Sequence, residues 1–218
     1  MAGPAALDTG IDELIAAARS RLVPGSRQLL GIAGAPGSGK STLAAILASA
    51  LGADAALVGM DAFHLADAEL RRLGRHDRKG AADTFDAAGY LNLLQRLRDR
   101  TDPVVYAPVF ERSLEAAIAG AQPVAREVPL IITEGNYLLV DDQDWAPARA
   151  LLDECWFIES DERLRLSRLT SRHRAYGRSA EQAELRACGS DQRNAELVGR
   201  TRHRADRVIR LPPLPESS

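Results

Sequence analysis

The segment Gly34-Ala35-Pro36-Gly37-Ser38-Gly39-Lys40-Ser41 has the residue types and spacing of a phosphate-binding loop. It matches the pattern G-x-x-x-x-G-K-[ST], and Thr42 follows it. Glycines let such a loop turn so that backbone N–H groups and the start of the next helix point at phosphates. The compact ammonium of Lys40 would contact the β- and γ-phosphates, and the Ser41 hydroxyl would ligate Mg²⁺. The segment predicts binding of a nucleoside triphosphate.

Two carboxylates stand at the ends of apolar runs further along the chain. Asp61 follows the run 55–60, where it could accept the proton of an attacking hydroxyl group. Its alternative role is a helix cap, and the nearby phosphate loop favours catalysis. Glu134 follows the run 129–133, where it could hold Mg²⁺ directly or through water. Its alternative is an exposed glutamate at a strand end, which the apolar run disfavours.

The segment 163–178 is rich in arginine. It contains Arg163, Arg165, Arg168, Arg172, Arg174 and Arg178. Three of them, Arg165, Arg168 and Arg172, share one helix face because they are spaced i, i+3 and i+7. Such a cluster is typical of a lid that closes over a transferring phosphoryl group. A solvated helix face, balanced by neighbouring acids, explains some of the six.

A polar loop at 78–86 has the composition of a substrate contact. It contains Lys79, and its Asp83 could hydrogen-bond the hydroxyl groups of an acceptor. A structural turn that caps a helix beginning near Asp86 fits these residues equally well. His64 lies three residues after Asp61 and is a weaker candidate for the same substrate site.

The composition limits the function classes. Of 28 basic residues, all but Lys40 and Lys79 are arginine, and the net charge of −2 with a pI near 6.1 disfavours general nucleic-acid binding. Cys155 and Cys188 have neither disulfide-scaffold nor zinc-site spacing. We find no signal peptide and no apolar stretch long enough to span a membrane. These features predict a cytoplasmic protein with no membrane partner.

The elements that must position these residues follow from continuous apolar runs. The runs 28–33, 55–60, 129–133 and 155–158, with a last short strand at 207–211, predict a parallel sheet buried on both faces. The predicted helices cover 8–22, 41–48, 91–100, 144–152, 161–174 and 191–203, with Asp8 or Thr9 as the first cap. Residues 104–106 and 122–125 predict a small antiparallel hairpin. This is a doubly wound α/β architecture, with its ligand site at the carboxyl ends of the strands.

The motifs together resemble the phosphoribulokinase/uridine kinase family. They are GAPGSGKST at 34–42, MDAFHL at 60–65, RKGAADTFD at 78–86, ITEGNYLL at 132–139, and RLxxRH with a downstream GR at 165–178. Within the family the chain is most similar to the pantothenate-kinase-like branch, whose members are often called nucleoside/nucleotide kinase or fructose-transport kinase-like proteins. The resemblance covers about residues 25 to 210 and keeps the family's motif order.

This resemblance implies an ATP- and Mg²⁺-dependent kinase of a small-molecule alcohol. The implied fold is of the P-loop NTPase type, a doubly wound five-stranded parallel sheet with helices on both faces and an arginine-bearing lid. It places Asp61 as general base, Arg168 and Arg172 as lid arginines, and Asn194 and Arg202 in the segment along the adenine. We expect an N-terminal helix at 1–24, the kinase domain at 25–211 and a disordered tail at 212–218, and we leave a homodimer open.

The acceptor is where the chain departs from the family pattern. The usual Asp-Gly-Phe reads Asp61-Ala62-Phe63, and the stretch YAPVFER at 106–112 does not resemble that of uridine or pantothenate kinases. The substrate-binding candidates are Asp61, Phe63, His64, Lys79, Asp83, Tyr106, Arg112 and Glu134. We rank a sugar or polyol first as acceptor, a nucleoside second and pantothenate third.

Two other functions stay open on the sequence. A nucleoside monophosphate kinase would bind a phosphorylated acceptor and would not need Asp61 as a base. A regulatory ATPase would need a residue that positions water and a surface for its partner. A GTPase version is nearly excluded, because neither lysine lies in an N-K-x-D pattern.

Overall fold

A six-stranded parallel sheet forms the centre of the molecule. The computed structural model describes residues 3–142 and 144–212, so residues 213–218 of the expected tail lie outside the described residues. Its strands are β1 (Ala6–Asp8), β2 (Gln28–Gly34), β3 (Ala55–Gly59), β6 (Leu130–Gly135), β7 (Glu154–Ile158) and β8 (Arg207–Arg210). Their order across the sheet is β1-β8-β7-β2-β6-β3. Every residue of β6 and β7 is buried, as their continuous apolar composition predicts.

The expected count of five strands was wrong, because the N-terminal residues add β1 to the sheet edge. β1 has three residues and pairs in parallel with β8. The expected capping role of Asp8 or Thr9 was also wrong. The first helix begins after Gly10, and no side chain caps it. Instead, the Thr9 hydroxyl donates to Leu7 O at 3.2 Å.

Helices cover both faces of the sheet, which confirms the doubly wound architecture. They are α1 (Ile11–Arg19), α2 (Lys40–Leu51), α3 (Asp67–Arg72), α4 (Ala87–Asp99), α5 (Glu162–Ala175), α6 (Ala180–Cys188) and α7 (Ser190–Gly199). On one face, Leu14 of α1 and Leu43 of α2 pack against Ile32 and Ile132. On the other face, Tyr90 and Leu94 of α4 are fully buried.

The expected helix at 144–152 was also wrong. The structure has only a short 3₁₀ turn there, Ala148–Leu151, which begins after Pro147. Trp145 lies in the turn before it and is buried against Phe85, Tyr90 and Tyr137. The indole N–H donates to Ala82 O at 3.0 Å, so this segment serves as a packed connection rather than a helix.

The antiparallel hairpin outside the main sheet is confirmed and is longer than expected. Its strands are β4 (Val104–Glu111) and β5 (Ala116–Ala125). The hairpin contacts the 3₁₀ turn Met60–Phe63 that follows β3, so its tip, which includes Arg112, is directed toward the end of that strand. None of the helices in the described part of the chain is long and apolar enough to cross a membrane.

Candidate active site

The phosphate loop connects the end of β2 to the start of α2 and has the shape of an anion cradle. A Cβ added at Gly34 would lie 2.8 Å from Ser38 Oγ and 3.0 Å from Ile158 O, so no side chain fits there. Ser38 Oγ is buried and has no hydrogen-bond partner among the described residues. A buried hydroxyl without a partner is costly unless a ligand oxygen meets it. The loop therefore fits a phosphate group.

Lys40 is the first residue of α2 and is buried inside this loop. Its Nζ donates to Ala35 O at 3.0 Å. Burial lowers the pKa of Lys40 to about 8, and the nearby carboxylates of Glu134 and Asp61 oppose that shift. The ammonium is therefore poorly solvated, which is a favourable state for binding an anion that replaces the lost water.

Glu134 ends β6 next to the loop and contacts Ser41. Ser41 Oγ donates to Glu134 Oε1 at 3.0 Å, and the glutamate side chain is buried. Burial raises the pKa of Glu134, and the charge of Asp61 raises it further. A hydroxyl and a carboxylate are oxygen donors that suit Mg²⁺, which usually keeps several waters and substrate phosphates as its other ligands. In the described part of the chain no group of three or more His, Cys, Asp or Glu side chains could hold a metal.

Sheet register explains why these residues meet. Glu134 pairs with Ile32 of β2 on one side and with Gly59 of β3 on the other. The phosphate loop follows β2, and Asp61 follows β3, so Glu134, the phosphate loop and Asp61 all lie at the carboxyl ends of the strands. Gly135 makes room for this convergence, because a Cβ there would lie 2.6 Å from Met60 Cβ.

Asp61 lies in the 3₁₀ turn after β3 and presents a carboxylate that is one-third exposed. It caps no helix, so the structure does not support that alternative. Its nearest cation is Arg112 on the hairpin, with Nη2 3.9 Å from Oδ2, which is too long for a hydrogen bond. The carboxylate oxygens are therefore available to a ligand hydroxyl.

Aromatic rings form one wall beside Asp61. The His64 ring lies 4.0 Å from the Phe85 centroid and 5.3 Å from that of Phe110. Because a carbonyl oxygen can only accept, His64 Nδ1 donates to Asp61 O at 2.8 Å, and burial lowers the pKa of His64. Phe63 packs edge-on against Tyr90 at 5.4 Å. Tyr106, another substrate candidate, is exposed on β4.

The loop 78–84 is held in a defined conformation by its charged residues. Lys79 Nζ donates to Asp67 Oδ1 at 2.7 Å and to Glu115 O at 3.0 Å. Asp83 pairs with Arg75 at 3.4 Å and also with Arg78. Lys79 and Asp83 thus have structural partners, while the Asp86 carboxylate caps α4 by accepting from Gly89 N at 2.8 Å.

Helix α5 lies across the phosphate loop, and its arginines have different environments. A Cβ at Gly37 would lie 2.8 Å from Leu169 Cγ, so the helix packs directly on the loop. Arg165 is buried and donates to Pro36 O at 3.4 Å and to Gln192. Arg172 is exposed, and its charge contributes to lowering the pKa of Lys40. Arg168 is half-buried on the same helix.

A cavity of about 200 Å³ adjoins the loop on the side of β7 and α7. Its lining residues are Ala35, Ile158, Ser160, Glu162, Arg165, Gln192, Ala195 and Glu196. Asn194 and Arg202, the two residues expected beside an adenine, face other groups in this structure. Asn194 Nδ2 donates to Gly80 O at 3.1 Å, and Arg202 Nε donates to Glu159 Oε1 at 2.8 Å.

Sequence reasoning missed several residues of this cavity. Ser160 lies two residues after the apolar strand β7, a position that could have drawn attention to it. Gln192 carries no such signal in the sequence, because its contact is with Arg165, which lies 27 residues earlier in the chain.

Comparison with known proteins identifies the family of this chain. The sequence pattern of the Phosphoribulokinase / Uridine kinase family matches residues 29–213. A protein of Schizosaccharomyces pombe with a provisional uridine-kinase name is 33% identical over 209 residues, covering 91% of this chain and 89% of the relative. A pantothenate kinase of Clavibacter michiganensis subsp. michiganensis is 31% identical over 116 residues, which is 51% of this chain and 36% of that protein.

Among solved structures, a protein of Silicibacter sp. TM1040, described provisionally as a fructose transport system kinase, is 38% identical with a TM-score of 0.82. The superposition covers 93% of this chain and 98% of that protein. Kinases of this family use ATP, generally with Mg²⁺, and transfer phosphate to hydroxyl groups. The chain belongs to the phosphoribulokinase/uridine kinase family and is a P-loop kinase of a small-molecule substrate.

Proposed function

We propose that this kinase transfers the γ-phosphate of MgATP to a hydroxyl of a sugar or polyol, with Asp61 as the general base. The observation that carries the proposal is the convergence of Lys40, Asp61 and the Ser41–Glu134 pair at one edge of the sheet. Phosphoryl transfer needs little besides positioning and charge stabilisation, and these residues supply both.

Each residue has a separate task in this reaction. Asp61 accepts the proton of the attacking hydroxyl and orients its oxygen. Lys40 neutralises charge on the phosphoryl oxygens from within the loop, and Arg168 and Arg172 do so from α5. Ser41 and Glu134 would hold Mg²⁺, which screens the charge of the β- and γ-phosphates when bound.

The acceptor binds on the side of Asp61 that faces the hairpin and the loop 78–84. A polar ligand with several hydroxyl groups suits this site, because Arg112 offers N–H donors and the Asp61 carboxylate beside it offers acceptors. A nucleoside and pantothenate are the second and third acceptors to be tested. ATP enters from the opposite side, where the cavity beside α7 would take its base.

Phosphoryl transfer can be tested by measuring ADP release with a panel of sugars, polyols, nucleosides, pantothenate and nucleoside monophosphates. Asp61→Asn should lower kcat for the best acceptor by about 10²- to 10⁴-fold, with ATP affinity little changed. Asp54→Asn is the matched control, because Asp54 is exposed and precedes the amino end of β3, whereas the phosphate loop follows the carboxyl end of β2.

Three results would contradict the proposal. If only monophosphates stimulate ADP release, the protein is a nucleoside monophosphate kinase. If no compound stimulates it and Asp61→Asn leaves the basal ATPase unchanged, an ATPase without an acceptor explains the site better. If Asp61→Asn retains near-normal transfer to a hydroxyl acceptor, Asp61 is not the base.

A further inference from the structure

Besides its side-chain contacts, the loop 78–84 on the acceptor side is held through its backbone carbonyl groups. Gly80 O accepts from Tyr137 Oη at 2.5 Å and from Asn194 Nδ2 at 3.1 Å. Ala82 O accepts from the Trp145 indole N–H at 3.0 Å. Carbonyl hydrogen bonds are directional, so these donors fix the path of the backbone beside the acceptor site.

Arg186 of α6 supplies the donors at the other end of the loop. Its guanidinium donates to Lys79 O and, at 3.3 Å, to Asp77 O. The side chain is half-buried, and its Nε is buried without a partner among the described residues. A guanidinium offers five N–H donors in a rigid plane, so one side chain can bridge two carbonyl groups.

Helix α6 also belongs to the arginine-bearing side of the site. It follows α5 after a short turn and packs against both α5 and α7. A second polar contact braces this unit, because His173 of α5 bonds Asp191 of α7 at 2.7 Å. On its other ring nitrogen, His173 Nδ1 accepts from Arg178 at 2.7 Å. The helices that carry Arg172 and Arg186 therefore form one connected unit.

We propose that Arg186 is a positioning residue that couples the acceptor loop to the lid arginines. Because Arg186 bonds two carbonyl groups of the loop and its helix α6 packs against α5, the conformation of residues 77–80 and the placement of α5 depend on each other. An acceptor that contacts the loop thereby adjusts the placement of Arg172, and without an acceptor the lid is less well placed for transfer to water. This inference rests on the proposed phosphoryl transfer.

Kinetics test the coupling. Arg186→Met keeps the aliphatic stem and removes the donors, whereas Arg186→Lys keeps a charge and fewer donors. Arg193→Met on α7 is the matched control, because Arg193 is exposed. We expect Arg186→Met to lower kcat with the acceptor by about tenfold, with KM for ATP unchanged, and to raise the ratio of ATP hydrolysis to transfer. Arg186→Lys should restore part of the loss, and Arg193→Met should resemble the wild type.

Hydrogen exchange tests the physical link without any acceptor, so failure of the proposed reaction and failure of the coupling are distinguishable. In the ATP-bound protein, Arg186→Met should speed amide exchange in both 77–84 and 171–179, while Arg193→Met should change neither. Faster exchange in only one segment, or in neither, overturns the coupling. Where an acceptor is found, an unchanged ratio of hydrolysis to transfer, or equal losses in Arg186→Lys and Arg186→Met, overturns it as well.

Discussion

The buried ammonium of Lys40 should make the ligand-free protein less stable than a variant without it. The pKa of Lys40 falls from 10.5 to about 8 on folding, which corresponds to about 3 kcal/mol of cost for keeping the group charged. Lys40→Met replaces the ammonium with an apolar side chain of similar length. The stability gained by Lys40→Met is smaller than this cost, because the substitution removes a cation that lowers the pKa of Glu134. We expect Lys40→Met to be more stable by about 1–3 kcal/mol at neutral pH and to lose ATP binding.

The pH dependence has a definite sign. Below about pH 8 Lys40 is protonated in the folded and the unfolded protein, so the cost is fully present. Between about pH 8 and 10.5 the folded protein releases this proton while the unfolded chain keeps it. Unfolding then takes up a proton, so the stability of the wild type rises with pH in this window. The advantage of Lys40→Met should therefore shrink as pH rises from about 8 to 10.5.

Urea unfolding of the ligand-free proteins at several pH values measures this difference. Lys79→Met is the control for loss of a lysine, because Lys79 pairs with Asp67 at 2.7 Å and its removal should destabilise the protein. The reasoning is refuted if Lys40→Met is less stable than the wild type at neutral pH. A difference that stays constant across the window would refute it too.

Two further predictions concern the phosphate loop. Ser41→Ala should raise the Mg²⁺ concentration for half-maximal activity by about tenfold, since one oxygen ligand is lost. Ser41→Thr keeps the hydroxyl and should remain near the wild type. A Mg²⁺ titration in which both variants match the wild type would contradict the assignment of Ser41 as a Mg²⁺ ligand. Gly37→Ala should destabilise the protein by about 1–3 kcal/mol in thermal unfolding, because the residue has φ +80° and the new Cβ would lie 2.9 Å from Arg165 O. An unchanged Tm would show that α5 does not pack on the phosphate loop.

The sequence predicts the centre of the molecule well because the signals there are local. A continuous apolar run ended by an acidic residue identifies both β3 with Asp61 and β6 with Glu134. The glycine pattern then identifies the loop between β2 and α2. Once three parallel strands are recognised, sheet geometry requires that their carboxyl ends lie together, and the register of Glu134 between Ile32 and Gly59 agrees.

The periphery of the sheet is harder to predict. β1 has three residues on an edge and pairs only with β8, so it has no apolar run that periodicity could detect. The segment 144–152 contains enough helix-forming residues to suggest a helix. Its conformation is decided by tertiary contacts, since Trp145 packs among three aromatic rings that come from two other parts of the chain.

Arginine density in the sequence does not reveal what each arginine does. Within the basic segment, Arg165 packs under the phosphate loop, the charge of Arg172 lowers the pKa of Lys40, and Arg178 bonds His173. Arg186 lies outside that segment, yet it contacts the backbone of Lys79, 107 residues earlier in the chain. Its partners are backbone carbonyl groups, which every residue possesses, so no side-chain pattern marks them. Residues that position a loop through its carbonyl groups are therefore the part of such a site that a structure can identify and a single sequence cannot.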